Sequence, residues 1–241
     1  MVRTVMFDLD GTLIHFEFEG FMRAYLAAVG ARVAPVMDPR RFVSQLLKST
    51  EAMMANLDPN RTNQEVFMED FFSKMDLPQD VLMPVIDSFY REDFPNLAGT
   101  LGIRPLPAAR PVLEDLFRRG YEVVIATNPV FPRVATEERL RWGGIGDLPF
   151  RLVTVYEDCH FCKPNPEYYE EVLSMIGRKP EECIMVGNDV DEDLAAGELG
   201  IKTYLVEDCL MGSGALGFKP DYRGKFNDLV GFFISDEFAK L

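Results

Sequence analysis

Positive charge is scarce in this 241-residue chain, where 25 Lys and Arg stand against 39 Asp and Glu for a formal net charge of −14. That balance repels nucleic-acid backbones and anionic lipid surfaces, which argues against either as a partner, while a local basic pocket could still hold a small anion. No apolar run approaches the ~20 residues of a membrane span, and Met1 to Asp8 reads directly into a strand rather than into an export signal. A cytoplasmic location is expected. Cysteine is sparse, and Cys159, Cys162, Cys183 and Cys209 read as free thiols instead of a disulfide framework. Histidine is rarer still. Cys159-His160-Phe161-Cys162 therefore has no second ligand pair to complete a zinc site, the other histidine being His15, and its cysteines read as filling space beside Lys163. There is no internal repeat or low-complexity tract, and no required protein partner is visible.

What is present is an ordinary globular composition, 47% hydrophobic and 27% charged, enough for one large domain or two small ones. Val2 to Phe7 is a short β-prone run that ends in Asp8-Leu9-Asp10-Gly11-Thr12. The next clear strand, Tyr121 to Ala126, follows a helix-like stretch from Pro107 to Arg119 that Gly120 stops. From there helices near 132–142, 166–176 and 191–199 alternate with strands near 151–155, Cys183 to Val186 and Lys202 to Val206. This βαβ alternation predicts an α/β fold, a Rossmann-like three-layer core in which helices cover both faces of a parallel sheet. Residues 17–29, 39–56, 62–75 and 79–93 read instead as amphipathic helices, an insertion with apolar stripes such as Met22, Leu26 and Val29, or Phe42, Leu46 and Met53. These stripes, with Phe67, Phe71, Phe72 and Met75, are expected to be core.

Ligands of open α/β sheets sit beyond the carboxyl ends of the strands, where Asp8 and Asp10 fall. Strand alternation points both the same way, and Gly11 permits a tight turn after them. Their mutual repulsion calls for a positive partner, and a hard cation such as Mg2+ suits an all-oxygen set. A second acidic group, Asp189-Val190-Asp191-Glu192-Asp193, follows the strand from Cys183. Asp189 and Asp193 are four apart across a strand-to-helix turn, so one can bind metal while the other orients a metal water or Lys163. Asp191, Glu192 and Glu198 read as a solvated helix start. Thr127 and Asn128 close another strand with groups that donate to phosphate oxygens, and Lys163 precedes a helix opened by Pro166. Each of these is commonplace alone.

Together, in this order, they resemble the haloacid dehalogenase superfamily. Asp8, Asp10, Gly11 and Thr12 match its DxDGT motif, Thr127 its hydroxyl motif, Lys163 its lysine motif, and Asp189 with Asp193 its DxxxD motif. Asn188 stands where the family usually has glycine; the spacing to Asp193 favours Asp189 over Asn188 as the residue facing a metal. The resemblance implies a discontinuous core of residues 1–14 and 102–241, with residues 15–101 inserted as an α-helical cap of the first class.

The resemblance further implies a hydrolase: a Mg2+-dependent phosphatase acting on a small phosphorylated metabolite. Asp8 would be the nucleophile forming an aspartyl-phosphate, and Asp10 the acid and then the base. Asp8, Asp10 (through its backbone carbonyl) and Asp189 would be metal ligands, with Asp193 behind them. Thr127, Asn128 and Lys163 would bind the phosphate. Dehalogenation is disfavoured because a halide leaves without a proton and Asp10 is present. Phosphonate hydrolysis needs a Schiff-base lysine in the cap, and neither Lys48 nor Lys74 has an informative context. A phosphosugar mutase keeps the same motifs and stays open, as does, less favoured, a non-catalytic binding scaffold. His15 either faces the leaving group or packs at the hinge. With Phe16, Glu17, Phe18, Phe21, Pro129, Val130 and Phe131 it would form an aromatic entrance.

Overall fold

A computed structural model of the chain describes residues 1–15 and 17–241. Phe16, one of the expected entrance residues, lies outside them. Among the described residues, strands β1 (Thr4–Phe7), β4 (Glu122–Ile125), β5 (Leu152–Val153), β6 (Cys183–Gly187), β7 (Lys202–Val206) and β8 (Tyr222–Gly224) form one parallel sheet in the order β5-β4-β1-β6-β7-β8. β1 is buried along its whole length because it lies inside the sheet, with helices over both faces. Val5 and Phe7 face one apolar cluster with Leu113 and Leu116, whereas Met6 faces another with Tyr168 and Val172.

The register of the central strands sets the site. Phe7 is opposite Ile125 on one side and Val186 on the other, so three carboxyl ends lie level. The Asp8 amide donates to the Val186 carbonyl at 2.9 Å and the Ala126 amide to the Phe7 carbonyl at 2.7 Å, which carries the alignment one residue beyond the strands. The chain leaves β1 for β4 and β5 on one flank and returns to β6, β7 and β8 on the other. This reversal of direction is where open α/β sheets form their ligand crevice.

Between β2 (Ile14–His15) and β3 (Arg104–Pro105), which pair antiparallel as a small ribbon, the chain forms helices α1 (Phe18–Val33), α2 (Pro39–Met54), α3 (Asn63–Ser73), α4 (Gln79–Ser88) and α5 (Leu97–Leu101). Their starts follow local chemistry: Asp38 caps α2 ahead of Pro39, and Thr62 with Glu65 forms a capping box on α3. The helix expected over 79–93 instead passes from α4 into a π-helical turn, Phe89–Asp93, and a 3-10 turn at Phe94–Asn96. That winding turns Phe89 and Phe94 inward, onto Tyr25 and onto Trp142 of α7 (Arg133–Trp142), where Phe94 and Trp142 stack at 5.0 Å.

A second set of contacts ties the cap to the core. At the start of α3 the Asn63 amide donates to the Cys159 carbonyl at 2.7 Å and the Gln64 amide to the Tyr156 carbonyl at 2.9 Å. The Asn63 side-chain amide donates to the carbonyls of Pro129 and Phe161, at 3.3 and 3.2 Å.

The remaining core helices are α6 (Ala109–Arg118), α8 (Pro166–Ile176) and α9 (Phe226–Phe233). The helix expected over 191–199 is a turn followed by a 3-10 stretch, Leu194–Leu199. No helix of the described residues is long and apolar enough to cross a membrane, and the four cysteines are free thiols.

Candidate active site

β1 delivers Asp8 and Asp10 to the crevice through a turn in which the amides of Thr12, Leu13 and Ile14 all donate to the Leu9 carbonyl. Gly11 is held there at φ 86°, and a Cβ would meet the Asn188 side-chain nitrogen at 2.6 Å, so both backbone conformation and space require glycine. The Thr12 hydroxyl donates to Asn188 Oδ1 at 2.7 Å, and Asn188 Nδ2 donates to the Cys209 carbonyl at 2.6 Å. Asn188 is therefore committed to bracing the turn, which leaves Asp189 as the acidic side chain at this strand end.

Lys163 is almost completely buried, with its ammonium 3.2 Å from Asp8 Oδ1 and 2.6 Å from Asp193 Oδ1. Burial alone would push this ammonium down, but the Asp193 and Asp8 carboxylates outweigh it and hold it well above its usual value. The Asp8 carboxyl is pushed up by burial, against the opposing pull of Lys163. Asp193 also accepts from the Asp189 amide at 2.9 Å, so it fixes Lys163 and the Asp189 loop together. Gly187 makes this possible, since a Cβ there would lie 2.7 Å from the Asp193 Cβ and closer still to its carboxylate.

Asp10 meets a partner that sequence reasoning missed. Arg139, 2% exposed on α7, pairs with Asp10 Oδ2, takes support from the Thr136 hydroxyl at 3.1 Å and lies 4.9 Å from the centre of the Phe131 ring. Asp10 Oδ1 is buried without a partner among the described residues. Burial raises the Asp10 carboxyl, with Arg139 opposing. In sequence Arg139 is one of several arginines on a charged helix, and nothing there marks the pairing.

Thr127 and Asn128 follow β4 beside these groups, and both line the same cavity as Asp8, Asp10 and Asp189. The Asn128 side chain, however, accepts from the Lys163 amide at 3.2 Å and donates to Glu192 Oε1 at 3.0 Å. Its main-chain N–H is the donor left for a ligand. Glu192, expected on a solvated helix start, instead faces the cavity and is half-buried; because residues 191–193 form a turn, its carboxyl folds inward and burial pushes it up to about 8, with Lys163 opposing. Asp191 is engaged by the Ser213 and Gly214 amides, and only Glu198 of the three stays exposed.

For a hard cation the donors at hand are the Asp8 carboxylate, the Asp10 main-chain carbonyl and the Asp189 carboxylate. The turn's amides go to Leu9 and Ile14 and not to the Asp10 carbonyl, and Asp10 Oδ1 lacks a partner. Asp189 Oδ1 is held by the Asp191 and Glu192 amides, at 2.8 Å each. Among the described residues no three His, Cys, Asp or Glu side chains gather around one point. Two carboxylates and a carbonyl suit Mg2+, which keeps several of its waters.

The cavity measures about 690 Å³ and runs from these groups into the helical insertion. Of the expected entrance residues, Phe18, Val130 and Phe131 line it. His15 is exposed on the β2–β3 ribbon, opposite Arg104, and Glu17 caps α1. Phe21 is buried among aromatic rings. Part of the predicted core is also cavity wall: Phe42 and Phe71 are fully buried, while Met22, Leu26, Leu46, Phe67 and Phe72 are half-buried and face the open volume. Cys159 and Cys162 are buried beside the Lys163 loop, burial pushing the Cys162 thiol up to about 12, which makes both poor redox or metal thiolates.

Residues 2–200 match the family model of the haloacid dehalogenase-like hydrolases. The chain is 27% identical over 232 residues to pyrophosphatase PpaX of Bacillus mycoides, covering 95% of each protein. Among solved structures, a HAD phosphatase from Thermococcus onnurineus aligns with TM-score 0.61 and 20% identity over 98% of this chain and 100% of that one. L-2-haloacid dehalogenase from Xanthobacter autotrophicus aligns with TM-score 0.58 and 15% identity over 98% and 100%.

Proposed function

The chain belongs to the haloacid dehalogenase-like hydrolases, and on that premise we propose that it is a Mg2+-dependent phosphatase that hydrolyses a phosphate monoester through an aspartyl-phosphate on Asp8. The observation that carries this reading is the pair of unlike carboxylates on one cavity: Asp8 beside the Lys163 ammonium, and Asp10 with one oxygen on Arg139 and the other free. The core is taken as residues 1–14 and 102–241 and the cap as residues 15–101, with the β2–β3 ribbon as the boundary.

Lys163 holds Asp8 Oδ1, so the second oxygen of Asp8 attacks phosphorus as the bond to the leaving oxygen breaks. Asp10 Oδ1 is the atom suited to carry the proton to that oxygen, because Oδ2 is occupied by Arg139. As a carboxylate, Asp10 then takes a proton from the water that attacks phosphorus and releases Asp8. Lys163, the Thr127 hydroxyl and the Asn128 N–H offset charge on the phosphate oxygens. Mg2+ held by Asp8, the Asp10 carbonyl and Asp189 would supply Lewis-acid neutralisation of the phosphate. Asp193 keeps Lys163 and the Asp189 loop in place.

The PpaX relatives carry the name pyrophosphatase, and an anhydride would be cleaved by the same attack on phosphorus. Asp10 favours phosphoryl transfer over dehalogenation, since a halide needs no proton. Hydrolysis of p-nitrophenyl phosphate with and without Mg2+, in the native chain and in a folded Asp8→Asn variant, tests the reading. Turnover that requires Mg2+ and disappears in Asp8→Asn is expected. Turnover retained by Asp8→Asn would remove Asp8 as nucleophile.

A further inference from the structure

Among the described residues the cap lines the cavity mainly with apolar side chains. From α1 come Met22 and Leu26, from α2 Leu46, from α3 Phe67 and Phe72, and from α4 Ile86, each half-buried against open volume. Of its polar side chains, the Tyr25 and Tyr90 hydroxyls bond each other at 2.9 Å, the Thr50 hydroxyl donates to the Leu46 carbonyl at 2.9 Å, and the Gln64 amide reaches the Tyr156 hydroxyl at 3.5 Å. Among the described residues Asp87 is the one charged cap side chain in the lining, and it is an anion. The cations of the described lining are Arg133 and Arg139, which stand on α7 and are already paired with Asp158 and Asp10. A substrate that carried a second phosphoryl group or a carboxylate would therefore find no cation among the described cap residues of the lining and would meet Asp87.

The apolar wall also reaches the surface. Phe18, Leu47 and Val134 line the cavity while being 46%, 39% and 38% exposed, so apolar lining extends to the protein surface. At about 690 Å³ the space lies within the ~300–1,000 Å³ of sites that take drug-sized organic ligands, far beyond what a bare phosphate or a two-carbon ester fills.

We infer that the substrate is a phosphate monoester whose leaving group is a long apolar alkyl or aryl residue, lying among the cap helices with its phosphate at Asp8. This rests on the phosphatase reading above and adds the substrate class to it. The phosphate is recognised by the core, and the apolar group by burial. Each methylene taken from water into the cavity strengthens binding of the substrate and its transition state about three- to fourfold, until the cavity is filled.

The test is a series of ethyl, butyl, hexyl, octyl and decyl phosphates with 1-naphthyl phosphate as the aryl arm and inorganic pyrophosphate as the doubly anionic arm. Expected is a kcat/KM that climbs about threefold per methylene before levelling, with octyl and naphthyl phosphate far above pyrophosphate; the alkyl-to-aryl ratio tells which shape the cavity prefers. In Leu46→Trp, which narrows the cavity from its cap side, the octyl-to-ethyl ratio should fall. Calorimetry of octylphosphonate and ethylphosphonate with folded Asp8→Asn keeps the two readings apart. Tighter binding of the longer ligand there supports the apolar site even if no ester is hydrolysed. A flat or falling kcat/KM along the series, pyrophosphate preferred over every ester, or equal binding of the two phosphonates overturns it.

Discussion

Arg139 and Asp10, 129 residues apart in sequence, form a buried ion pair that uses one oxygen of the aspartate and leaves the other without a partner. Removing only the arginine would strand a carboxylate in a site where 19% of its side chain remains accessible. Breaking such a pair from one side costs about 3–5 kcal/mol when burial is complete, so about 3 kcal/mol is expected for Arg139→Met by urea unfolding. Adding Asp10→Asn to Arg139→Met should restore part of that stability. Strictly additive losses in the double variant would show that the pair is not coupled.

Asp10→Asn separates proton transfer from binding. The main-chain carbonyl remains, and Asp8 is untouched. An alkyl phosphate should lose about 10²- to 10⁴-fold in kcat, the usual worth of acid–base assistance. p-Nitrophenyl phosphate, whose leaving group needs no proton, should lose much less in the first step, and phosphoryl-protein should accumulate in intact-mass measurements after rapid quench. Equal losses for both substrates with no trapped adduct would count against Asp10 as the proton donor.

Gly187→Ala probes the support beneath Lys163. The added methyl would occupy the place of the Asp193 carboxylate. Overpacking of this kind typically costs about 1–3 kcal/mol. Because Asp193 also holds the Asp189 amide, the apparent affinity for Mg2+ should weaken along with turnover. A variant with native stability and native Mg2+ dependence would mean that Asp193 moves without consequence.

Mg2+ should stabilise the native chain without any substrate. An ion that binds only the folded state at a hundredfold excess over its Kd contributes about 2.7 kcal/mol, which for a chain of this size raises Tm by about 5–10 °C. Thermal scans of the native chain and of Asp189→Ala check it. The shift should shrink sharply in the variant, and its persistence there would place the ion elsewhere.

The carboxylates at the end of β1 were legible because strand, turn and acidic residues are contiguous, and the sheet register then brings Thr127 and Gly187 level with them. Cap helices were legible from their apolar period. That same period could not say whether Leu46 and Phe72 close on each other or on empty space, since core and cavity wall need the same side chains. Arg139 was hidden because its role depends on a contact with Asp10, 129 residues away in the chain, and Glu192 because three residues expected to be helical form a turn. The final strand and helix, β8 and α9, went unread: β8 has three residues and no fully buried side chain.

The Asn63 contacts give the cap a catch as well as a hinge. Any swing of the helices about the β2–β3 ribbon would have to break bonds to the carbonyls of Pro129, Cys159 and Phe161, on the stretches of chain that follow Thr127 and precede Lys163. Each bond exchanged for water changes the balance by only about 0.5–1.5 kcal/mol, so the three together favour the seated cap by about 1.5–4.5 kcal/mol. Seating of the cap and the order of the chain that follows Thr127 and precedes Lys163 thus depend on the same contacts.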